Sequence, residues 1–161
     1  MKQITPNDLA TLSQQAAGAA RLRSNLNLHA ELSDPVQRLA IAMEPGTYIR
    51  PHRHLQTWEV LTPLTGRFVV LLFNDAGSVL QRTLLGEETT LIEIPAGAWH
   101  AVLSLDNGGV IFEVKQGPYL ALSEEHCQQW APREGEAECG QVMAWYRSAG
   151  VGEQFSQQPN A

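Results

Sequence analysis

The stretch Gly46–Gly66 reads GTYIRPHRHLQTWEVLTPLTG, and three of its side chains decide how the rest of the chain is understood. His52 and His54 are two apart, so on a strand their imidazoles share a face. Glu59 is at odd parity to them, and on one unbroken strand it would face away. A bend within Leu55–Trp58 that starts a new strand brings Glu59 back beside the histidines. A later segment, Pro95-Ala-Gly-Ala-Trp-His100, supplies a tight turn feeding another strand that carries His100. Three neutral imidazoles and one carboxylate form a mixed N/O donor set suited to one divalent transition metal, Fe(II), Mn, Ni, Co, Cu or Zn. An octahedral ion held this way keeps positions open for water or substrate.

Outward from this stretch the chain reads as short strands punctuated by turns. Upstream, Thr5-Pro6-Asn7-Asp8 predicts a helix start, with Thr5 as cap, Pro6 at the first helical position and Asp8 suiting the dipole. Leu9, Leu12, Ala16 and Ala19 continue a helical stripe to about Ala20. The period then changes to two from Leu22 to His29, and Val36–Met43 forms a further strand. Downstream, Arg67–Phe73 is almost continuously apolar, as a strand buried on both faces would be. Val79–Leu85, Thr89–Ile94, Trp99–Leu105 and Val110–Lys115 complete the series. Asp106-Asn-Gly-Gly109 is expected to close the last two strands as a hairpin. Many short, evenly spaced strands imply a sandwich or barrel. Ser123 is positioned to cap a short helix through about Trp130, and Ala137–Tyr146 reads as a second helix. The expected organisation is one domain: a helix over 1–20 packed on a barrel over 21–120, then a helical extension over 121–161 with an end frayed from about Gly150.

Parity also predicts a polar wall. Tyr48 and Arg50 share the face of His52 and His54, and Arg23, Asn25 and Asn27 form one polar row whose alternatives are solvent or the cavity. Glu113 and Lys115 share a face on the strand expected to pair with that of His100. Together Tyr48, Arg50, Arg23, Asn25, Asn27 and Lys115 would grip a carboxylate, phosphate or diol beside the metal, with Tyr48 as a proton donor. Arg50 and Lys115 pairing with Glu93 or Glu113 at a barrel rim is the competing reading. His29 fits either behind the site or outside the barrel, and His126 reads as a surface residue.

Composition narrows the partners. With 161 residues, 43% hydrophobic, the chain suffices for one sizeable core. A net charge of −6, a pI near 5.3 and no Lys/Arg cluster along the sequence argue against nucleic acid and anionic membranes. No apolar run is long enough to span a bilayer. The N-terminal MKQITPNDLA lacks a signal-peptide core, which predicts a cytoplasmic protein. Cys127 and Cys139, without CxxC spacing, are expected to be free thiols.

The combined pattern resembles the cupin superfamily. Gly46, His52, His54, Glu59 and Gly66 meet every spacing of the first cupin motif, and Pro95, Gly97 and His100 fit the second. Thr89 and Ser104 depart from it, standing where the family often has Gly and Asn. The resemblance implies a single double-stranded β-helix (jelly-roll) barrel with the metal inside. It narrows further. Arg23-x-Asn25-x-Asn27-x-His29, Val36-Gln-Arg38, the run from Pro45 to His54, and Phe112-Glu-Val-Lys-Gln-Gly-Pro-Tyr119 are similar to WbuC-type cupin metalloproteins. That likeness implies a sugar or sugar-nucleotide context in polysaccharide biosynthesis and brings no reaction with it.

Three functions follow as expectations. The first is a metal enzyme on a small polar molecule, sugar or carboxylate, with isomerase, epimerase or dioxygenase chemistry. The second is a non-catalytic module binding the same class of ligand. The third is a metal-free epimerase using a His/Tyr pair, disfavoured because it has no need of Glu59 together with three histidines. A homodimer through outer strands or the N-terminal segment is expected from the resemblance.

Overall fold

Eight strands form two antiparallel sheets that face each other as a jelly-roll barrel in the computed structural model, which describes residues 1–156. Helix α1 (Pro6–Gly18) precedes β1 (Arg23–Asn27), β2 (Val36–Met43), β3 (Glu59–Thr65), β4 (Phe68–Phe73), β5 (Val79–Leu85), β6 (Ile92–Ile94), β7 (Trp99–Ser104) and β8 (Gly109–Gln116). A single 3₁₀ turn at Glu124–His126 and helix α2 (Cys139–Ser148) follow. One sheet has the order β1-β2-β8-β3-β6 and the other β5-β4-β7. The mainly β barrel with flanking helices expected from the sequence is the architecture observed.

Three apolar layers hold it together. Between the sheets, Phe68, Val70, Leu85, Ile111 and Leu61 fill one part of the barrel. On the outer face of the larger sheet, Leu12 and Ala16 of α1 pack on Ala40, Ala42 and Val110, whose small side chains let the helix approach closely. Its N-terminus is a complete capping box: the Thr5 hydroxyl accepts from Asp8 N at 3.2 Å and the Asp8 carboxylate accepts from Thr5 N at 2.7 Å. On the outer face of the smaller sheet, Val69, Leu71 and Phe73 pack with Val142 and Tyr146 of α2. Strand β4 is buried on both faces between two of these layers, which explains its unbroken apolar run.

Four local expectations change. Asp106–Gly109 is a turn but does not close a hairpin, because β7 pairs with β4 while β8 pairs with β2 and β3. The Asp106 carboxylate instead accepts from Arg67 N and Nε, both at 3.0 Å, and the turn crosses from one sheet to the other. Turn composition specifies a chain reversal, not the partner strand. The strand expected over Thr89–Ile94 is shorter, Ile92–Ile94. The helix expected from Ser123 to Trp130 stops after one turn, with no Ser123 side-chain cap, because the backbone beyond it pairs with the loop that carries His52. The fraying expected from Gly150 is not seen over 150–156. Gly152 N donates to Val79 O at 2.8 Å, and Phe155 packs against Trp130 and Trp145 at 5.8 and 5.7 Å between ring centroids. Residues 157–161 lie outside the described residues. Among those described, no helix is long and apolar enough to cross a membrane.

Candidate metal centre

The loop that carries His52 and His54 is not a strand. Residues 47–51 have no ladder partner, and Pro51 removes one donor that a ladder would need. Two sets of backbone bonds fix it instead. On one side, His52 and His100 exchange N–H···O bonds of 2.9 and 2.8 Å, and Gly97 N donates to His54 O at 2.7 Å. On the other, Arg53 N donates to His126 O at 3.0 Å and Gln128 N to Pro51 O at 2.8 Å. The chain then bends at Leu55 and Gln56 before β3 opens on Glu59, the parity break that Glu59 requires. Gly97 adopts a φ of +81°, left-handed backbone that glycine enters without strain, and this turn delivers His100 at the start of β7.

The four side chains converge. One ring nitrogen from each of His52, His54 and His100 lies within 4.8 Å of the others. Glu59 Oε1 lies 3.0 Å from His54 Nε2, and Glu59 Oε2 lies 3.1 Å from His100 Nε2. Ligand atoms around an ion at about 2.1 Å stand roughly 3.0–3.4 Å apart, so these two contacts already have the edge length of a coordination polyhedron. The other ring nitrogens are committed to the backbone: His52 Nδ1–H donates to Arg50 O at 2.9 Å and His100 Nδ1–H to Ala98 O at 3.0 Å. That leaves both Nε2 atoms aimed inward, as metal-binding imidazoles are usually held. By donor chemistry, edge length and orientation the residues present fit one divalent transition metal.

Burial sets the charge state. Burial pushes His52 to a pKa of about 3, so it is a neutral ligand at any ordinary pH. Burial also opposes charge on His100, but its hydrogen bond to Glu59 and that carboxylate's charge outweigh burial and raise its pKa. For Glu59, burial acts upward and is overcome by the hydrogen bonds from His100 and His54, which hold it well below the usual carboxylate range. In the metal-free chain, His100 and Glu59 therefore form a buried ion pair.

The centre opens into a cavity of about 560 Å³ between the sheets. Its apolar wall includes Ile41, Leu61, Val102 and Ile111, and its polar lining includes Arg23, Asn25, Asn27, His29, Glu113 and Lys115. Four of the sequence candidates thus line this cavity, although several are already engaged. Arg23 Nη1 donates to Tyr48 O at 3.1 Å, Asn25 Nδ2 to Asn27 Oδ1 at 2.6 Å, and Lys115 Nζ to Glu59 Oε1 at 3.2 Å. The parity placement of Tyr48 and Arg50 does not hold, because it assumed an unbroken strand. Tyr48 turns into the outer core, where its hydroxyl donates to Pro132 O at 2.9 Å and burial pushes the phenol's pKa up. Arg50 pairs with Glu124 at 3.0 Å and donates to Gln128 O at 3.1 Å, away from the main cavity. Cys127 and Cys139 are free and buried.

Two further residues, His29 and Glu113, line the cavity. His29 is buried; its Nδ1 lies 3.0 Å from both the backbone N and the backbone O of Arg38, and its Nε2 has no partner among the described residues. Glu113 is pushed up to about 7, first by burial and then by the Glu59 charge, with Lys115 acting in the opposite sense. Period-two parity places both on the barrel, but only the cavity makes them interior. Because Glu113 keeps its proton in the folded state after the unfolded chain has lost its own, stability falls as pH rises from about 4.5 to about 7. In chelator-treated protein, Glu113→Gln is expected to remove that slope, gaining about 3 kcal/mol over wild type at pH 8 and little at pH 4. Thermal melts across this range check it, and parallel curves for the two proteins would contradict it.

Among solved structures, the chain superposes on cupin-fold proteins. CapF with the inhibitor 3-isopropenyl-tropolone matches with a TM-score of 0.52 at 17% identity, covering 62% of this chain and 29% of that one. Oxalate oxidase in complex with the substrate analogue glycolate matches with a TM-score of 0.50 at 17% identity, covering 66% and 57%. A conserved protein of unknown function from Streptococcus pyogenes gives 0.50 at 15% identity, covering 75% and 93%. The chain thus spans less than a third of the first of these and just over half of the second. These likenesses carry the fold, which is the cupin barrel. No curated protein matches the chain in sequence. A family model described as "Domain of unknown function (DUF6016)" matches residues 4–85, just over half of the chain, and the chain belongs to that family.

Proposed function

We propose that this chain is a WbuC-type cupin metalloprotein that holds one divalent transition metal through His52, His54, His100 and Glu59 and acts on a small polar molecule, a sugar or carboxylate. The observation that carries this reading is the convergence of three ring nitrogens within 4.8 Å with both Glu59 oxygens 3.0–3.1 Å from two of them. Polysaccharide or sugar-nucleotide metabolism is the context that the WbuC-like segments suggest, and their reach over β1, β2 and β8 supports it.

When bound, such a metal supplies Lewis acidity toward a carbonyl or hydroxyl oxygen. The chain's own residues supply the rest. Lys115 neutralises part of the Glu59 charge and holds that carboxylate in place. Glu113, whose carboxyl burial and the Glu59 charge push up in the metal-free chain, faces the cavity and is suited to give or take a proton during isomerisation or epimerisation. Asn25, Asn27 and the His29 Nε2 offer polar groups to ligand hydroxyls, and an aliphatic wall lines the other side of the cavity.

A second reading, a non-catalytic binding module, draws on the mutual pairing of Asn25 with Asn27 and of Arg23 with Tyr48 O, which organises a grip without any reacting partner. The test is a turnover panel of sugar nucleotides and small hydroxy acids on untagged, metal-analysed protein, run in air and without oxygen. Metal-dependent turnover in both atmospheres is expected for isomerase or epimerase chemistry, whereas turnover confined to air marks an oxygenase. Tight binding of a panel member with no turnover would transfer the assignment to the module.

A further inference from the structure

Beside the metal centre lies a second cavity, of about 310 Å³, that none of the chemistry above uses. Four guanidinium groups line it, those of Arg21, Arg23, Arg50 and Arg133, against two carboxylates, Glu124 and Glu134. Both carboxylates are already shared. Glu134 accepts from Arg21 and Arg23, and Glu124 from Arg50 and Arg133. A surplus of two positive charges is left, on a chain whose net charge is −6. The sequence conceals this concentration, because the four arginines come from three distant segments. Clustered like charges repel and are held together at a cost in stability. Arg50 sharpens the case: its side chain is only 12% exposed, and its buried Nε–H has no acceptor among the described residues.

We propose that this cavity is an oxyanion site for the phosphate group of a small organic phosphate. Guanidinium forks match phosphate oxygens in shape, and such charge-assisted bonds are stronger than neutral ones. A phosphomonoester carries roughly −1.5 to −2 at pH 7 and so balances the surplus, whereas a carboxylate offsets only about half of it. The volume leaves room for atoms beyond the phosphate. Arg21, Arg23, Ile49 and His52 line this cavity and the main one alike, so a ligand anchored here extends past His52 toward the metal centre. That extension rests on the function proposed above; the anion site does not.

The test is calorimetric titration of the purified chain with inorganic phosphate at low ionic strength, with acetate as comparison. One phosphate per chain is expected, bound more tightly than acetate. The side chains of Arg21 and Arg133 are 60% and 67% exposed, so R21S/R133S is expected to keep the fold while weakening phosphate at least about tenfold with metal content unchanged. R21K/R133K, which keeps the charge but loses two of the forks, is expected to bind phosphate with an affinity between those of the wild type and R21S/R133S. Three results would overturn the site: no phosphate binding by the wild type, acetate binding as tight as phosphate, or undiminished phosphate binding in R21S/R133S, which would put the anion elsewhere, including on the metal. Metal content is measured independently, so failure here leaves the metal assignment standing, and loss of the metal assignment leaves this one open to the same titration.

Discussion

The double variant H52A/H54A is expected to leave the chain with almost no bound metal, against close to one equivalent in the untagged wild type. Only Glu59 and His100 remain as donors. Loss of groups that merely orient a ligand already costs about 10–100-fold in affinity, and removing two ligands outright costs more. Elemental analysis after purification reads the stoichiometry directly, and a value unchanged by the double substitution would end the assignment. Wild-type affinity carries a pH signature as well. His100 must give up the proton that it shares with Glu59 before its Nε2 can ligate, so binding releases a proton, and affinity falls as pH drops below the raised His100 pKa. Thermal stability follows the metal. An ion present at 1,000 times its Kd adds about 4 kcal/mol to the folded state, and H52A/H54A is expected to show no melting shift on metal addition.

Tyr146→Ala is expected to be the most damaging single change outside the ligand set. Tyr146 is 1% exposed in the layer between β4, β7 and α2, and its hydroxyl donates to Ile49 O at 3.2 Å. Truncating a buried aromatic of this size costs about 3–5 kcal/mol, or roughly 10 °C in melting temperature for a chain of this length. The effect should also reach the metal, because Ile49 lies in the unladdered loop just before His52. Where the loop is held by Tyr146, Arg50 and the 126–128 backbone, losing one support is expected to weaken metal binding about tenfold, within the range for groups that orient ligands. Tyr146→Phe keeps the packing and loses one hydrogen bond, so about 1 kcal/mol and a small change in metal affinity are expected. Wild-type metal affinity in a folded Tyr146→Ala protein would show that the C-terminal extension does not position the ligands.

What the sequence by itself determined is the part of this protein written in short-range spacing. The capping box at Thr5 and Asp8 follows from neighbouring residues and local backbone bonds. The β4 run and the Gly97 turn depend on a few adjacent positions. The donor set His52, His54, Glu59 and His100 was legible because ligand chemistry restricts residue type as well as spacing. Strand pairing was not legible at Asp106–Gly109, since a turn residue reports that the chain reverses and not which sheet it enters. Tyr48 and Arg50 were placed by a parity that holds only on a laddered strand, and Pro51 together with the 126–128 backbone replaced that ladder with a tertiary one. The tertiary structure alone decided that a C-terminal segment with weak helical signals would brace the metal loop. It alone gathered Arg21, Arg23, Arg50 and Arg133 around two carboxylates. Charges as much as 113 residues apart have no local signature in a chain, and only packing makes them neighbours.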